Sequence, residues 1–147
     1  MAETALAPAD LVVVNKSERW LRLYRGELIV REYPVVLGAA PEGHKQREGD
    51  NRTPEGRYEL DAWNTDSDFF LSIHISYPSA TDRARAAARG EDPGGQIMIH
   101  GQPNTPRYSA RFYATTDWTN GCIAVSNAAM IDIWLMTVPG TPIEIRP

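Results

Sequence analysis

The 147-residue chain has one cysteine, Cys122, which excludes an intramolecular disulfide and any metal site built on clustered thiolates. Of its three histidines, His44 and His74 have no partner at metal-ligand spacing; both read as structural, His44 solvated and His74 strand-bound, and neither a metal nor an organic cofactor is expected. Long apolar runs are missing too. The longest clean stretch, Leu11 to Val14, falls far short of the roughly 20 residues a membrane span needs. Positive charge is in deficit, with 15 Lys and Arg against 19 Asp and Glu and a net charge of −4, which disfavours a polyanion-binding surface and argues against nucleic acid as a partner. Residues 1–10 have no basic start and no apolar core of roughly 7 to 15 residues, so they do not read as a signal peptide. Their Ala and Pro content suits a short linker or remnant ahead of one domain at 11–147.

What is present is turn-rich and β-like. Apolar residues make up 42% and charged residues 23%, a globular composition, and eleven Gly with eleven Pro predict many turns and short strands. Strand patterns occur at Leu11–Asn15, Arg19–Tyr24, Leu28–Leu37 with a break at Pro34, Arg57–Trp63, Phe69–Ile75, Gln96–His100 and Thr141–Arg146. Residues 39–56 carry turn signals and almost no apolar side chain, the mark of an ordered functional loop. Two short helices are predicted, one opening at Thr81-Asp82 and closing at Gly90, the other opening near Ser126 or Asn127 and ending before Pro139-Gly140. Residues 102–117 read as irregular. No internal repeat is present.

Cys122 follows a Thr-Asn-Gly turn and precedes the apolar triplet Ile123-Ala124-Val125. A lone cysteine is more often an inert core thiol. His100, at the end of a strand and followed by Gly101, changes that balance: two strand ends of one sheet can bring an imidazole beside a thiol, the arrangement a Cys–His nucleophile pair requires. A free thiol titrates near about 8.5, so the neighbouring histidine is expected to raise its thiolate fraction.

Ile99-His100-Gly101 and Thr119-Asn120-Gly121-Cys122-Ile123 together resemble the His-Gly and Ser/Thr-x-Gly-Cys signature of the L,D-transpeptidase catalytic domain, the YkuD family of bacterial cell-wall enzymes. The resemblance extends through Gly43-His44-Lys45, the Gly49–Tyr58 segment, Tyr77-Pro78 and Gly140–Ile143. It implies a mainly β fold, a sandwich of mixed sheets with two short helices; the chain is expected to be a monomer. It implies Cys122 as nucleophile, His100 as base, the Gly101 carbonyl as the group orienting the imidazole, and the Gly121 and Cys122 amides as the oxyanion site. The implied substrates are peptidoglycan stem peptides and an amine acceptor, either a second stem or an anchored protein. The implied setting is the cell envelope or periplasm, with roles in cell-wall biogenesis and cell shape and susceptibility to carbapenems. A hydrolytic variant, carboxypeptidase or amidase, and an inactive wall-binding domain are the alternatives. Asn120 stands where many members have His, and Ala124 where many have Arg or Asn, while the 102–118 segment looks like a subgroup insertion. Thr119, Asn120, Arg107, Arg111, Trp118 and Arg52 are the expected substrate contacts.

Overall fold

The computed structural model describes residues 7–147. Eight strands form one continuous sheet: β1 (Leu11–Asn15), β2 (Trp20–Arg25), β3 (Leu28–Pro34), β4 (Gly56–Ser67), β5 (Phe70–Ile75), β6 (Met98–His100), β7 (Ile123–Ala124) and β8 (Pro142–Arg146), in the order β3-β2-β1-β8-β4-β5-β6-β7. The β1–β8 and β6–β7 pairs are parallel and the others antiparallel, so the sheet is mixed.

The long β4 serves both halves. Residues Gly56–Glu59 pair with β8 and residues from Leu60 onward pair with β5, with register shifts at Leu60/Ala62 and Asn64/Ser67. Such irregularities bend a strand, and this bend lets the sheet fold over its own apolar face. That face holds Val12, Val14, Leu21, Leu23, Ile73 and Ile143, all with no exposed surface; each such side chain contributes about 1.5–3 kcal/mol relative to an exposed position. Beyond β3 the chain continues to Val36 and Gly38, which bridge to Ala124 and Thr119, so the first strand in the order leads directly to the last and the ring nearly closes.

Three helices lie among the described residues, one more than the sequence predicted. Helix α1 (Ala80–Ala88) begins earlier than expected because Ser79 is its cap: the Ser79 hydroxyl accepts the Asp82 N–H at 3.1 Å and the Asp82 carboxylate accepts the Ser79 N–H at 2.9 Å. Gly90, with φ +68°, lets the chain turn away after it. The extra helix, α2 (Ala110–Thr115), falls in the segment read as irregular; Ser109 caps it, its hydroxyl accepting the Phe112 N–H at 3.2 Å. Helix α3 (Asn127–Met136) buries Ala129, Met130, Ile133 and Met136 and packs against β5.

Residues 1–6 of the expected linker lie outside the described residues. Ala9 is buried, with its N–H on the Met136 carbonyl at 2.7 Å, and the Asp10 N–H donates to the Tyr24 carbonyl at 2.9 Å, so the chain is already docked on the domain before β1 begins.

Candidate active site

In the parallel β6–β7 pair, Ile99 lies opposite Ile123 and His100 opposite Ala124. Cys122, one residue before β7, is therefore level with Met98, and its side chain leaves the same face as that of His100. Both residues border a cleft of about 500 Å³ with Lys45, Gln96, Trp118 and Asn120.

His100 is 3% exposed. Its Nδ1 lies 2.8 Å from the Gly101 carbonyl oxygen. A carbonyl can only accept, so the network assigns the proton to Nδ1 and leaves Nε2 as a bare acceptor. Phe69 stacks on the ring at 4.4 Å and 20°, and Trp118 leans on it at 5.6 Å and 50°. The turn that brings the carbonyl back requires glycine: a Cβ at Gly101 would lie 2.6 Å from Asn127 Oδ1 and 3.1 Å from the Phe69 carbonyl oxygen. Asn127, the first residue of α3, holds the next step by accepting the Gln102 N–H at 2.8 Å.

Cys122 is half-buried, and its thiol donates to the Gln96 carbonyl at 3.3 Å. Gln96 is itself in the left-handed region, with φ +56°. Gly121 has φ +137°, and a Cβ there would lie 2.7 Å from the Arg52 carbonyl oxygen. Of the two amides expected at the oxyanion site, that of Gly121 is engaged within the turn. The Gly121 N–H is spent on Thr119 Oγ1 at 3.1 Å, and that buried hydroxyl donates to the Cys122 carbonyl at 2.7 Å. The Thr119 side chain thus staples the nucleophile turn from inside, and the Gly121 amide points to it rather than to an incoming carbonyl.

The protonation states also depart from expectation. Burial pushes His100 down to about 4 against the opposing pull of the Gly101 carbonyl. The groups crowded around Cys122 push its thiol above its ordinary value, although a backbone N–H from Met98 and the Lys45 charge act the other way. Desolvation penalises the charged form of each group, so at rest the cleft holds a neutral thiol and a neutral imidazole.

The 39–56 loop is a support with its own polar core. The buried Lys16 Nζ donates to the Gly43 and Thr53 carbonyls at 2.9 and 2.7 Å and pairs with Glu55 at 3.1 Å, fastening the loop to the end of β1. Buried Lys45 pairs with Asp50 at 2.9 Å. Burial alone would raise Asp50, but the Gln46, Arg47 and Arg52 N–H groups and Lys45 together hold it down at about 2. His44 is not solvated as the sequence suggested: its Nδ1 accepts the Glu55 N–H at 2.8 Å, so Nε2–H donates to Asp82 Oδ1, also at 2.8 Å. Asp82 in turn accepts the Tyr58 hydroxyl at 2.7 Å. His74 is strand-bound, 2.6 Å from Asp61 on the neighbouring strand.

Of the expected substrate contacts, Trp118, Thr119 and Asn120 border the cleft, with Asn120 exposed. Arg52 does not; its backbone abuts Gly121 and its guanidinium packs under Gly43. Arg107 borders a neighbouring depression, and Arg111 is exposed on α2 and borders neither. Sequence reasoning missed Phe69, Gln96 and Lys45 as parts of the cleft. Only the aromatic strand pattern around Phe69 signalled any of them. Among the described residues no group of three or more His, Cys, Asp and Glu side chains could hold a metal ion, and no helix is long and apolar enough to cross a membrane.

YafK of Escherichia coli (strain K12), which carries the name of an L,D-transpeptidase, is 34% identical over 96 residues, 61% of this chain and 37% of YafK. Pgp2 of Campylobacter jejuni, described as a helical cell shape determining protein, is 27% identical with a TM-score of 0.69, the match covering 95% of this chain and 48% of Pgp2. An L,D-transpeptidase from Mycobacterium smegmatis shares the fold, with a TM-score of 0.61 at 14% identity over 95% of this chain and 59% of that one. The chain thus spans less than half the length of YafK or Pgp2. The description of the L,D-transpeptidase catalytic domain, YkuD, matches residues 9–145, and with the mixed sheet that carries His100 and Cys122 to one cleft, the chain belongs to that family.

Proposed function

We propose that the protein is a peptidoglycan L,D-transpeptidase of the cell envelope that works through a Cys122 thioester. The observation that carries this reading is the shared cleft of Cys122 and a histidine whose Nδ1 is committed to the Gly101 carbonyl, which leaves Nε2 free to take a proton. The neutral resting pair makes His100 a general base that acts as the bond forms, not half of a standing ion pair. The thiol first leaves the Gln96 carbonyl. His100 Nε2 then takes its proton as sulfur attacks the carbonyl carbon of the third stem residue, a diamino acid. The Cys122 amide donates to the developing oxyanion, and the Gly121 amide joins it only if the Thr119 hydroxyl releases it. Collapse of the tetrahedral adduct breaks the C–N bond, and His100 hands its proton to the departing D-alanine nitrogen. In the second half-reaction an acceptor amine attacks the thioester, His100 takes the amine's proton, and that proton returns to the expelled thiolate. The product is a cross-linked stem or an anchored protein.

Intact mass spectrometry after incubation with a stem tetrapeptide, with and without an amine acceptor, tests this. The expected species is a Cys122 adduct lacking the terminal D-alanine, which the acceptor consumes to give a cross-linked product. An adduct that decays to the trimmed acid at one rate whether or not acceptor is present assigns hydrolysis instead. A chain that neither forms an adduct nor releases D-alanine is not an enzyme of this kind.

A further inference from the structure

A second depression, of about 420 Å³, adjoins the catalytic cleft. Phe69 and Trp118 border both. Three ring-to-ring steps of 5.6, 5.1 and 6.0 Å lead from His100 to Trp118, then to Tyr113, then to Tyr108. Buried Tyr113 organises this row: its hydroxyl accepts the Arg107 N–H at 3.0 Å and its carbonyl accepts the Trp118 indole N–H at 3.2 Å. Around it, Tyr108 is 61% exposed, and Phe112 and Trp118 are half-buried, so each leaves part of its ring to solvent.

The lining narrows the class of ligand. No Leu, Val or Ile borders the depression, which argues against an acyl chain. Its charged side chains are Arg107 and an Asp117 already paired with Arg19 at 2.7 Å, which argues against a polyanion. Aromatic faces with a few polar groups suit a ring with an apolar C–H face and polar edges, since the electron-rich face of an aromatic attracts polarised C–H groups. Reach points the same way. From the acyl carbon of the third stem residue back to the sugar is three residues, at most about 11 Å of extended chain. The Trp118 ring lies 5.6 Å from that of His100, so a stem of this length is long enough to run from the catalytic cleft across the Phe69–Trp118 border into the depression.

We propose that this depression is a subsite for an N-acetylhexosamine ring of the glycan strand that bears the donor stem, with Tyr108, Phe112 and Trp118 as its stacking surface. The inference rests on the acyl-transfer reading above. Its test compares acylation of Cys122, without acceptor, by a disaccharide-linked tetrapeptide and by the same tetrapeptide free. The disaccharide donor is expected to acylate with a second-order rate constant about tenfold higher, the scale of one good ring stack. In Tyr108→Ala and in Phe112→Ala that ratio should fall towards one. A ratio of one in the wild-type chain, or a ratio unchanged in both variants, overturns the subsite. So does a persistent donor ratio in Tyr108→Ala with a raised KM for the amine acceptor, which would give the depression to the acceptor. If neither donor acylates Cys122, the acyl-transfer reading fails, and a stemless disaccharide titrated into the Cys122→Ala chain decides the subsite separately. Movement of the Trp118 indole N–H resonance that is absent in Tyr108→Ala supports it, and no movement up to about 10 mM sinks it.

Discussion

At pH 5.5 an ordinary histidine is mostly charged and useless as a base, whereas His100 should still be ready to accept a proton. Its value falls from 6.5 to about 4 because the ring is 3% exposed, with Phe69 stacked on it and Trp118 leaning against it. At pH 5.5 a group titrating at about 4 is about 97% neutral, against about 9% for one titrating at 6.5. The acid limb of kcat/KM, which reports the free enzyme's base, should therefore lie near pH 4. Phe69→Ala removes the stacked ring but keeps the Phe69 carbonyl that accepts the Gly101 N–H. Water then reaches the imidazole, and the limb should rise by about 1–2 pH units. Measuring both proteins with one substrate cancels the substrate's own ionisations. The same shift acts on stability. The folded value lies below the unfolded one, so His100 contributes its full stabilisation above pH 6.5 and loses it as pH falls through about 4. The loss amounts to about 3 kcal/mol. A wild-type limb at pH 6.5, or one that Phe69→Ala leaves in place, would refute the account of a buried neutral base.

Cys122→Ser should keep the fold and lose at least about a hundredfold in turnover, because the hydroxyl is a far weaker nucleophile beside a base that titrates so low; a variant retaining most of the wild-type rate removes the thioester from the mechanism. Gly121→Ala should destabilise the chain by about 3 kcal/mol, since its Cβ would lie 2.7 Å from the Arg52 carbonyl oxygen at a φ of +137°. Thermal unfolding within a degree or two of wild type would mean that the turn can relax. A carbapenem should add one drug mass to the peptide containing Cys122, as its strained carbonyl stands in for the scissile acyl group; no adduct with several carbapenems after long incubation would argue against an open acyl site.

Local patterning made much of the fold legible. β1, β2, β3 and β8 lie where β-branched and alternating runs put them, and α3 starts at the Ser126 cap. That His100 and Cys122 share a cleft was legible only through the paired His-Gly and Thr-Asn-Gly-Cys motifs of the family resemblance, because a strand-end histidine or a lone cysteine alone reads as structural. What escaped had no periodicity to betray it. Helix α2 has only one buried residue, Tyr113, and depends on the Ser109 cap and packing between rings. The His44–Asp82 contact joins residues 38 apart, and Lys16 reaches the Thr53 carbonyl across 37 positions. Such pairs form only after the strands have placed the loop, and each residue alone looks like any solvent-facing charged or polar side chain. The hold of Thr119 on the Gly121 N–H was illegible for a related reason: a turn sequence does not say whether a neighbouring hydroxyl will take that N–H first.

The position of β8 between β1 and β4 sets the order in which the molecule can assemble. β1 has β8, about 130 residues further along, as its parallel neighbour, and β8 is the strand through which β1 is joined to β4. A chain emerging from the ribosome can form the β1–β2–β3 meander early, but it cannot join β1 to β4 until Ile143 and Ile145 are available. Closure of the β1–β8–β4 seam thus depends on contacts distant in sequence, a topology that folds slowly and leaves the open sheet edges of the partly made domain exposed to chaperones.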